Sequence, residues 1–446
     1  MRIHALSAPP DGLFWSAPLA PDSDFTAEDP LALDYLGQQA GLWLFPGFTT
    51  RTSRAQYYAV VLYGLHLVDK AVEKYGFPGD DETRTRLFER WERFWALATL
   101  EFRKGQLERG DEDAMRGVLG ATGAWFPGKR PLPLDFHLIS RQSELGGLGA
   151  YLSSLREYGL ASRDSLRVTP VAREIIDSFW TERGRGDRSQ RYEEYSLRAL
   201  NLESSDIVRS SSGITFKKLG ERSRLSALGN CGRTEQQERL WNALFVSARD
   251  GSTLPLAKGL IAAQKDGVDE PEALLEGLLK GRWGNLGADN RNKAEVALAF
   301  GQLARVLLQR FNRAYEYIYK NGLVADFTAV AKASFPAAEL RKLRAICKKV
   351  LSARDARRFG RLQYHGPDLL GLLKKTSSAE PGDALDHLLD FHRAVQQSRR
   401  GGGAWLRKEK GNLVLQVTGY NGYKSSFFPG MKLKVVLRLL EDLGKL

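Results

Sequence analysis

The sequence predicts a mainly α-helical, multi-domain protein with a central winged helix-turn-helix and a C-terminal β-hairpin. Three observations carry this expectation. Apolar residues recur at three- and four-residue steps over long stretches, most clearly at 83–104 and 291–320. The stretch 132–183 instead breaks into short helical pieces around a small alternating segment. Only 405–418 alternates clearly in the manner of a strand pair.

Residues 1–24, rich in Pro, Ala and Asp, read as an extended arm. Residues 30–43 form a first helix, with Pro30 at an early position where its missing N–H costs nothing. A second helix follows the Pro46-Gly47 turn. In 83–104, Leu87, Trp91, Phe94, Trp95 and Ala98 make an amphipathic stripe, and Asp80-Asp81 read as an exposed helix start. Within 132–183, Leu148, Tyr151, Leu152 and Leu155 give one helix its inner face, and Gly159 ends it. Arg163-Asp164-Ser165 then turn into a short wing through Leu166 and Val168. Thr169 and Pro170 start a further helix. The longest periodic run, 291–320, places Val296, Phe300, Leu303, Leu307, Phe311 and Tyr315 on one face. After further helices and the glycines 401–403, a hairpin turns at Lys410-Gly411-Asn412, and a last helix begins near Met431. These elements divide into four expected segments: an N-terminal helical domain (1–130), the winged helix (131–186), a helical middle with a serine-rich loop (187–340) and a basic C-terminal region (341–446).

Charge narrows the function. The chain of 446 residues carries a net charge of +13. Between Arg341 and Leu446 there are 22 Lys and Arg against 9 Asp and Glu, which is the whole excess. A segment so unbalanced repels itself unless an anion lies beside it, and nucleic acid is the usual partner. Lys348, Lys349, Arg354, Arg357, Arg358 and Arg361 form a candidate phosphate-binding stripe with Tyr364 just beyond. Arg399 and Arg400 precede the glycine hinge. Trp405, Tyr420 and Tyr423 are either base-stacking rings or core anchors. In the winged helix, Ser153, Ser154 and Arg156 would sit on the reading helix, with Arg163 and Arg167 on the wing.

Other chemistry is sparse. There is no GxxxxGK phosphate loop, no HExxH motif and no GxSxG elbow. His387 and His392 are five residues apart, the wrong helical spacing for one metal, and read as part of a solvated face. The two cysteines, Cys231 and Cys347, cannot build a disulfide framework and fit a reducing cytoplasm. No metal, cofactor, catalytic residue or membrane segment is expected.

The stretch FPGFTTRTSRAQYY, 45–58, sets Arg51 and Arg54 at the mouth of an apolar helix. Ser53 and Gln56 match a capping box. Arg54 lies on the core stripe with Tyr58, Val61 and Leu65, so it needs an anion: either Asp34 on the preceding helix, or a ligand held at the helix N-terminus. This segment, followed by the winged-helix pattern, resembles an uncharacterised bacterial defence-island family. Its members open with Pro-Gly-(Ile/Phe)-Thr-x-x-Thr-x-Arg-Ala-x-Tyr-Tyr and are often encoded beside helicases, nucleases or methyltransferases. The matching residues are Pro46, Gly47, Phe48, Thr49, Thr52, Arg54, Ala55, Tyr57 and Tyr58. The resemblance covers about the first 180 residues and implies an anti-phage context without naming catalytic residues. The expected function is a non-enzymatic subunit that binds double-stranded DNA or adapts it to an enzymatic partner. A scaffold docking an acidic protein and an effector nuclease with a cryptic site are the alternatives.

Overall fold

The computed structural model describes residues 29–106, 115–180, 189–222, 234–247, 253–400, 403–418, 420, 422 and 430–446. It is mainly helical, with seven short strands among the described residues. The chain forms two compact units, each assembled from distant segments. The first joins the residues up to Leu44 with Asp269–Met431; the second joins Phe45–Val268 with Lys432–Leu446. The expected boundaries at 130 and 186 therefore fall inside the second unit, and that at 340 inside the first. The basic last quarter is shared between the two units.

The first unit is organised by the helix Gly287–Lys320, whose 34 residues span about 50 Å. Its predicted stripe, Val296 to Tyr315, is wholly buried. Around it lie α1 (Leu33–Leu44) and the helices Pro271–Leu279, Phe327–Ser334, Ala337–Ser352, Gly366–Thr376 and Pro381–Arg400. A three-stranded antiparallel sheet runs in the order Val324–Asp326, Asn412–Leu415, Leu406–Glu409. Between the strands Leu406–Glu409 and Asn412–Leu415, Lys410 and Gly411 have φ of 44° and 85°. Asn412 is already paired with Glu409, so the turn has two central residues, not three. A two-residue turn with positive φ matches the twist of the flanking strands.

His392 is not on a solvated face. It is fully buried, with Nδ1 donating to the Pro30 carbonyl at 2.8 Å and Nε2 accepting the Trp405 N–H at 3.0 Å. This fixes a neutral ring, and burial pushes its pKa down to about 4. Cys347 is likewise a buried core residue.

The second unit centres on α2 (Ala55–Tyr75) and α3 (Asp81–Phe102). Asp80 caps α3 by accepting the Thr83 N–H at 2.8 Å. The predicted stripe of Leu87, Trp91, Phe94, Trp95 and Ala98 is buried. The two helices meet at Gly64, where a Cβ would lie 2.2 Å from the Trp91 ring. The absent side chain lets the Trp91 indole N–H reach the Val60 carbonyl at 2.9 Å. Gly64→Ala is therefore expected to lower stability by about 1–3 kcal/mol despite the better helix propensity of alanine, measured by chemical denaturation. A neutral or stabilising result would mean that the helices can separate there freely.

Residues 131–180 belong to this unit. Their helices are Gln142–Leu145, Gly147–Glu157 and Arg173–Asp177, with an isolated antiparallel bridge between Ala161 and Val168 where the sequence predicts a wing. Tyr151 stacks on Tyr57 with ring centroids 5.3 Å apart, and Arg84 of α3 donates to the Leu166 carbonyl at 3.1 Å. Gly159 has a φ of 69° just past the helix end. Pro170 begins the next turn as expected, but the Thr169 hydroxyl donates back to the Gly159 carbonyl at 2.6 Å instead of capping.

One helix start in this region is organised from afar. Glu92, buried in α3, accepts the Gly147 N–H at 2.6 Å and the Gln142 side-chain amide at 3.0 Å. A Cβ on Gly146 would lie 2.7 Å from that carboxylate. The glycine pair thus lets a helix N-terminus, with its partial positive charge, sit directly on a buried acid. Burial is the main cause that pushes the Glu92 carboxyl up to about 7.

Candidate nucleic-acid interface

In the first unit, the helix Ala337–Ser352 stops at Ala353, whose backbone is extended, and the chain continues as a 3₁₀ helix from Arg354 to Arg361. At three residues per turn, positions three apart fall in rows. Ala356, Phe359 and Leu362 make the inward row: Ala356 and Phe359 are buried and Leu362 is half-buried. Asp355, Arg358 and Arg361 make a second row, and Arg354 with Arg357 a third. Phe359 is held by Phe300 and by Trp43 at the end of α1, with ring centroids 5.2 and 4.8 Å away.

This placement opens a hollow of about 430 Å³ lined by Trp43, Asp355, Arg357, Arg358, Arg361 and Leu362. Arg358 is paired with Asp355 at 3.1 Å. Arg357 and Arg361 are exposed, and no carboxylate pairs with either among the described residues. Of the three guanidinium groups only Arg358 thus has a carboxylate among the described residues, and all three lie beside a half-exposed indole. Tyr364, three residues past Arg361, is exposed and meets Tyr35 of α1 edge to face at 6.4 Å.

The predicted basic stripe is only partly gathered. Lys348, Lys349 and Arg354 are exposed but do not line the hollow; Lys349 donates to Gln302 at 3.2 Å. Arg399 and Arg400 end the helix Pro381–Arg400, and their side chains lie outside the described residues, as does Tyr423. Trp405 and Tyr420 are buried core rings 5.1 Å apart, which removes them as base-stacking candidates. Trp43 and Tyr35 were not singled out in the sequence, because no local pattern links α1 to residues more than 300 positions later.

In the second unit, Arg156 and Arg163 line a separate hollow of about 660 Å³ with Thr85, Ser153 and Glu157. Arg156 also donates to the Ser162 carbonyl at 2.9 Å. Arg167 is exposed, 3.7 Å from Asp69 of α2. Ser154 cannot read a ligand: it is buried, and its hydroxyl pairs with the Tyr58 hydroxyl at 2.6 Å.

The helix mouth at Arg51 and Arg54 has a definite answer. Asp442, from the C-terminal helix Gly430–Asp442, accepts the Ala55 N–H at 2.8 Å and the Arg54 Nε–H at 2.9 Å through the same oxygen. The Tyr151 hydroxyl accepts the Arg54 N–H at 3.1 Å. Arg54 itself, not Ser53, is the N-cap residue, and its side chain makes no capping hydrogen bond. Asp34 accepts from Gln38 at 3.2 Å and is not the partner of Arg54. The anion at this helix start is therefore the protein's own carboxylate. Burial pushes the Asp442 carboxyl above its usual range, against the pull of Arg54. The Arg51 side chain is exposed, while its carbonyl accepts from Arg116 at 2.8 Å.

Among the described residues, no three His, Cys, Asp or Glu side chains are arranged to hold a metal ion, and no helix is long and apolar enough to cross a membrane. What fold and surface define together is a mainly helical protein with a basic hollow walled by an aromatic ring. Comparison with protein-family models, curated proteins and solved structures finds no match to this chain.

Proposed function

We propose that this protein is a non-enzymatic nucleic-acid-binding or adaptor subunit that engages DNA for an enzymatic partner in a bacterial anti-phage defence complex. The observation that carries the binding part is the hollow in which Arg357, Arg358 and Arg361 face one carboxylate beside Trp43. Guanidinium groups bind phosphate through paired N–H donors, and an aromatic wall accepts a base. The charge surplus of the last quarter supplies attraction at longer range. In this reading residues 131–186 are a winged-helix domain. Its hollow at Arg156 and Arg163 is a second, weaker contact. The defence context rests on the resemblance of about the first 180 residues, and the cytoplasmic setting on the two cysteines, Cys231 and Cys347.

The test is DNA binding measured across a range of salt concentrations. Phosphate contacts release counterions, so affinity falls steeply with salt. Changing Arg357, Arg358 and Arg361 together to glutamine is expected to lower affinity and flatten the log–log salt slope by about 2 to 3. Unchanged affinity in this variant would remove the hollow from the interface. The alternative of an acidic protein partner would show as stable co-purification without retained DNA.

A further inference from the structure

Resting on the nucleic-acid reading, we infer that the hollow between Trp43 and the 3₁₀ arginines recognises a single unpaired nucleotide carrying a terminal phosphate.

Shape comes first. About 430 Å³ is the size of a small-molecule site, roughly 300–1,000 Å³, and not a track along a duplex. A duplex backbone would engage a continuous stripe, yet Lys348, Lys349 and Arg354 lie outside the hollow. The lining is also of mixed chemistry: an indole and Leu362 form apolar wall, and three guanidinium groups with the Asp355 carboxylate the remainder. That combination fits a planar ring and a phosphate held together, which a nucleotide offers once it leaves the base stack.

Charge then separates a terminal phosphate from an internal one. Arg358 is already shared with Asp355, while Arg357 and Arg361 carry no carboxylate among the described residues. An internal phosphodiester carries one negative charge; a terminal phosphate monoester carries about −1.5 to −2 at neutral pH and has three free oxygens. Two uncommitted guanidinium groups match the second better. Tyr35 lies eight residues before Trp43 on α1, about 12 Å along its axis, and with the exposed Tyr364 it provides a further aromatic surface for adjoining nucleotides.

The same chemistry is presented by the phosphorylated end of a single strand and by a free mononucleotide. The experiment separates them. Anisotropy is measured with short single-stranded DNA bearing a hydroxyl, a 5′-phosphate or a 3′-phosphate, and with a blunt duplex. Deoxyadenosine monophosphate serves as competitor. The full-length protein is compared with Trp43→Leu, Arg361→Gln and the pair Lys348→Gln/Lys349→Gln, each checked by thermal melting. One phosphorylated strand should bind about tenfold tighter than its hydroxyl counterpart. Trp43→Leu and Arg361→Gln should each abolish that preference, whereas the lysine pair should keep it and only weaken overall binding. Competition by the mononucleotide would place recognition in the nucleotide itself; competition by phosphorylated strands alone would place it at a strand end. Strand binding with no phosphate preference, or a preference intact in folded Arg361→Gln, overturns this inference and leaves the nucleic-acid reading standing. Absence of binding to any strand, duplex or nucleotide at low salt overturns both.

Discussion

Asp442→Ala is expected to destabilise the second unit by about 3–5 kcal/mol, although the residue lies only four positions from the end of the sequence. A single carboxylate oxygen there performs two tasks. It accepts the first free N–H of α2, at Ala55, and it neutralises Arg54, whose side chain is only 12% exposed. Alanine leaves a nearly buried guanidinium without its counter-charge and a helix N-terminus without its acceptor. Both penalties fall on groups that water reaches poorly, which is why the cost exceeds that of a surface ion pair. Asp442→Asn keeps an oxygen for the same two donors and should cost only about 1–2 kcal/mol. Urea denaturation of the three proteins gives the ordering. Equal stability of wild type and Asp442→Ala would refute this account of the helix start.

The second large effect is a pH response of opposite sign in the two units. In the first, His392 has an ordinary value near 6.5 when unfolded and about 4 when folded. Below pH 6.5 the unfolded chain takes up a proton that the folded ring refuses, so stability falls as pH drops from 6.5 towards 4, by up to about 3 kcal/mol. In the second unit, Glu92 rises from 4.5 to about 7 on folding. Between those values the folded carboxyl keeps a proton that the unfolded chain has released. The contribution of Glu92 is greatest below pH 4.5 and falls as pH rises to 7, again by up to about 3 kcal/mol. Hydrogen exchange at pH 5 and pH 7, corrected for intrinsic rates, should show the first unit opening more readily at pH 5 and the second at pH 7. His392→Gln and Glu92→Gln should each flatten the response of their own unit only. A common slope in both units would contradict the assignment.

Much of the helical architecture is legible locally. The stripe of Val296, Phe300, Leu303, Leu307, Phe311 and Tyr315 repeats at helical spacing, and the Asp80 carboxylate stands three residues before the N–H it caps. The alternation through Leu413 and Leu415 marks a strand for the same reason: side-chain direction follows from backbone period alone. The 3₁₀ segment shows the limit of such reasoning. The sequence alone runs Lys348, Lys349, Arg354, Arg357, Arg358 and Arg361 together as one stripe. With three residues per turn, Arg358 and Arg361 share a row with Asp355, and Arg357 belongs to the adjacent one.

The sequence by itself determined the helical class, the buried stripes and the concentration of positive charge in the last quarter, because each depends on spacing or composition. Tertiary structure alone decided which charges are free. Arg54 finds its carboxylate 388 residues away, Gly147 finds Glu92, and His392 is buried between Pro30 and Trp405. Trp43 comes to face arginines more than 300 positions later. An ionic or hydrogen-bonded partner is chosen by distance and burial, and neither leaves a periodic trace in the chain. For that reason the arginine most conspicuous in the sequence proved to be neutralised, while the exposed Arg357 and Arg361 beside Trp43 carry no carboxylate among the described residues.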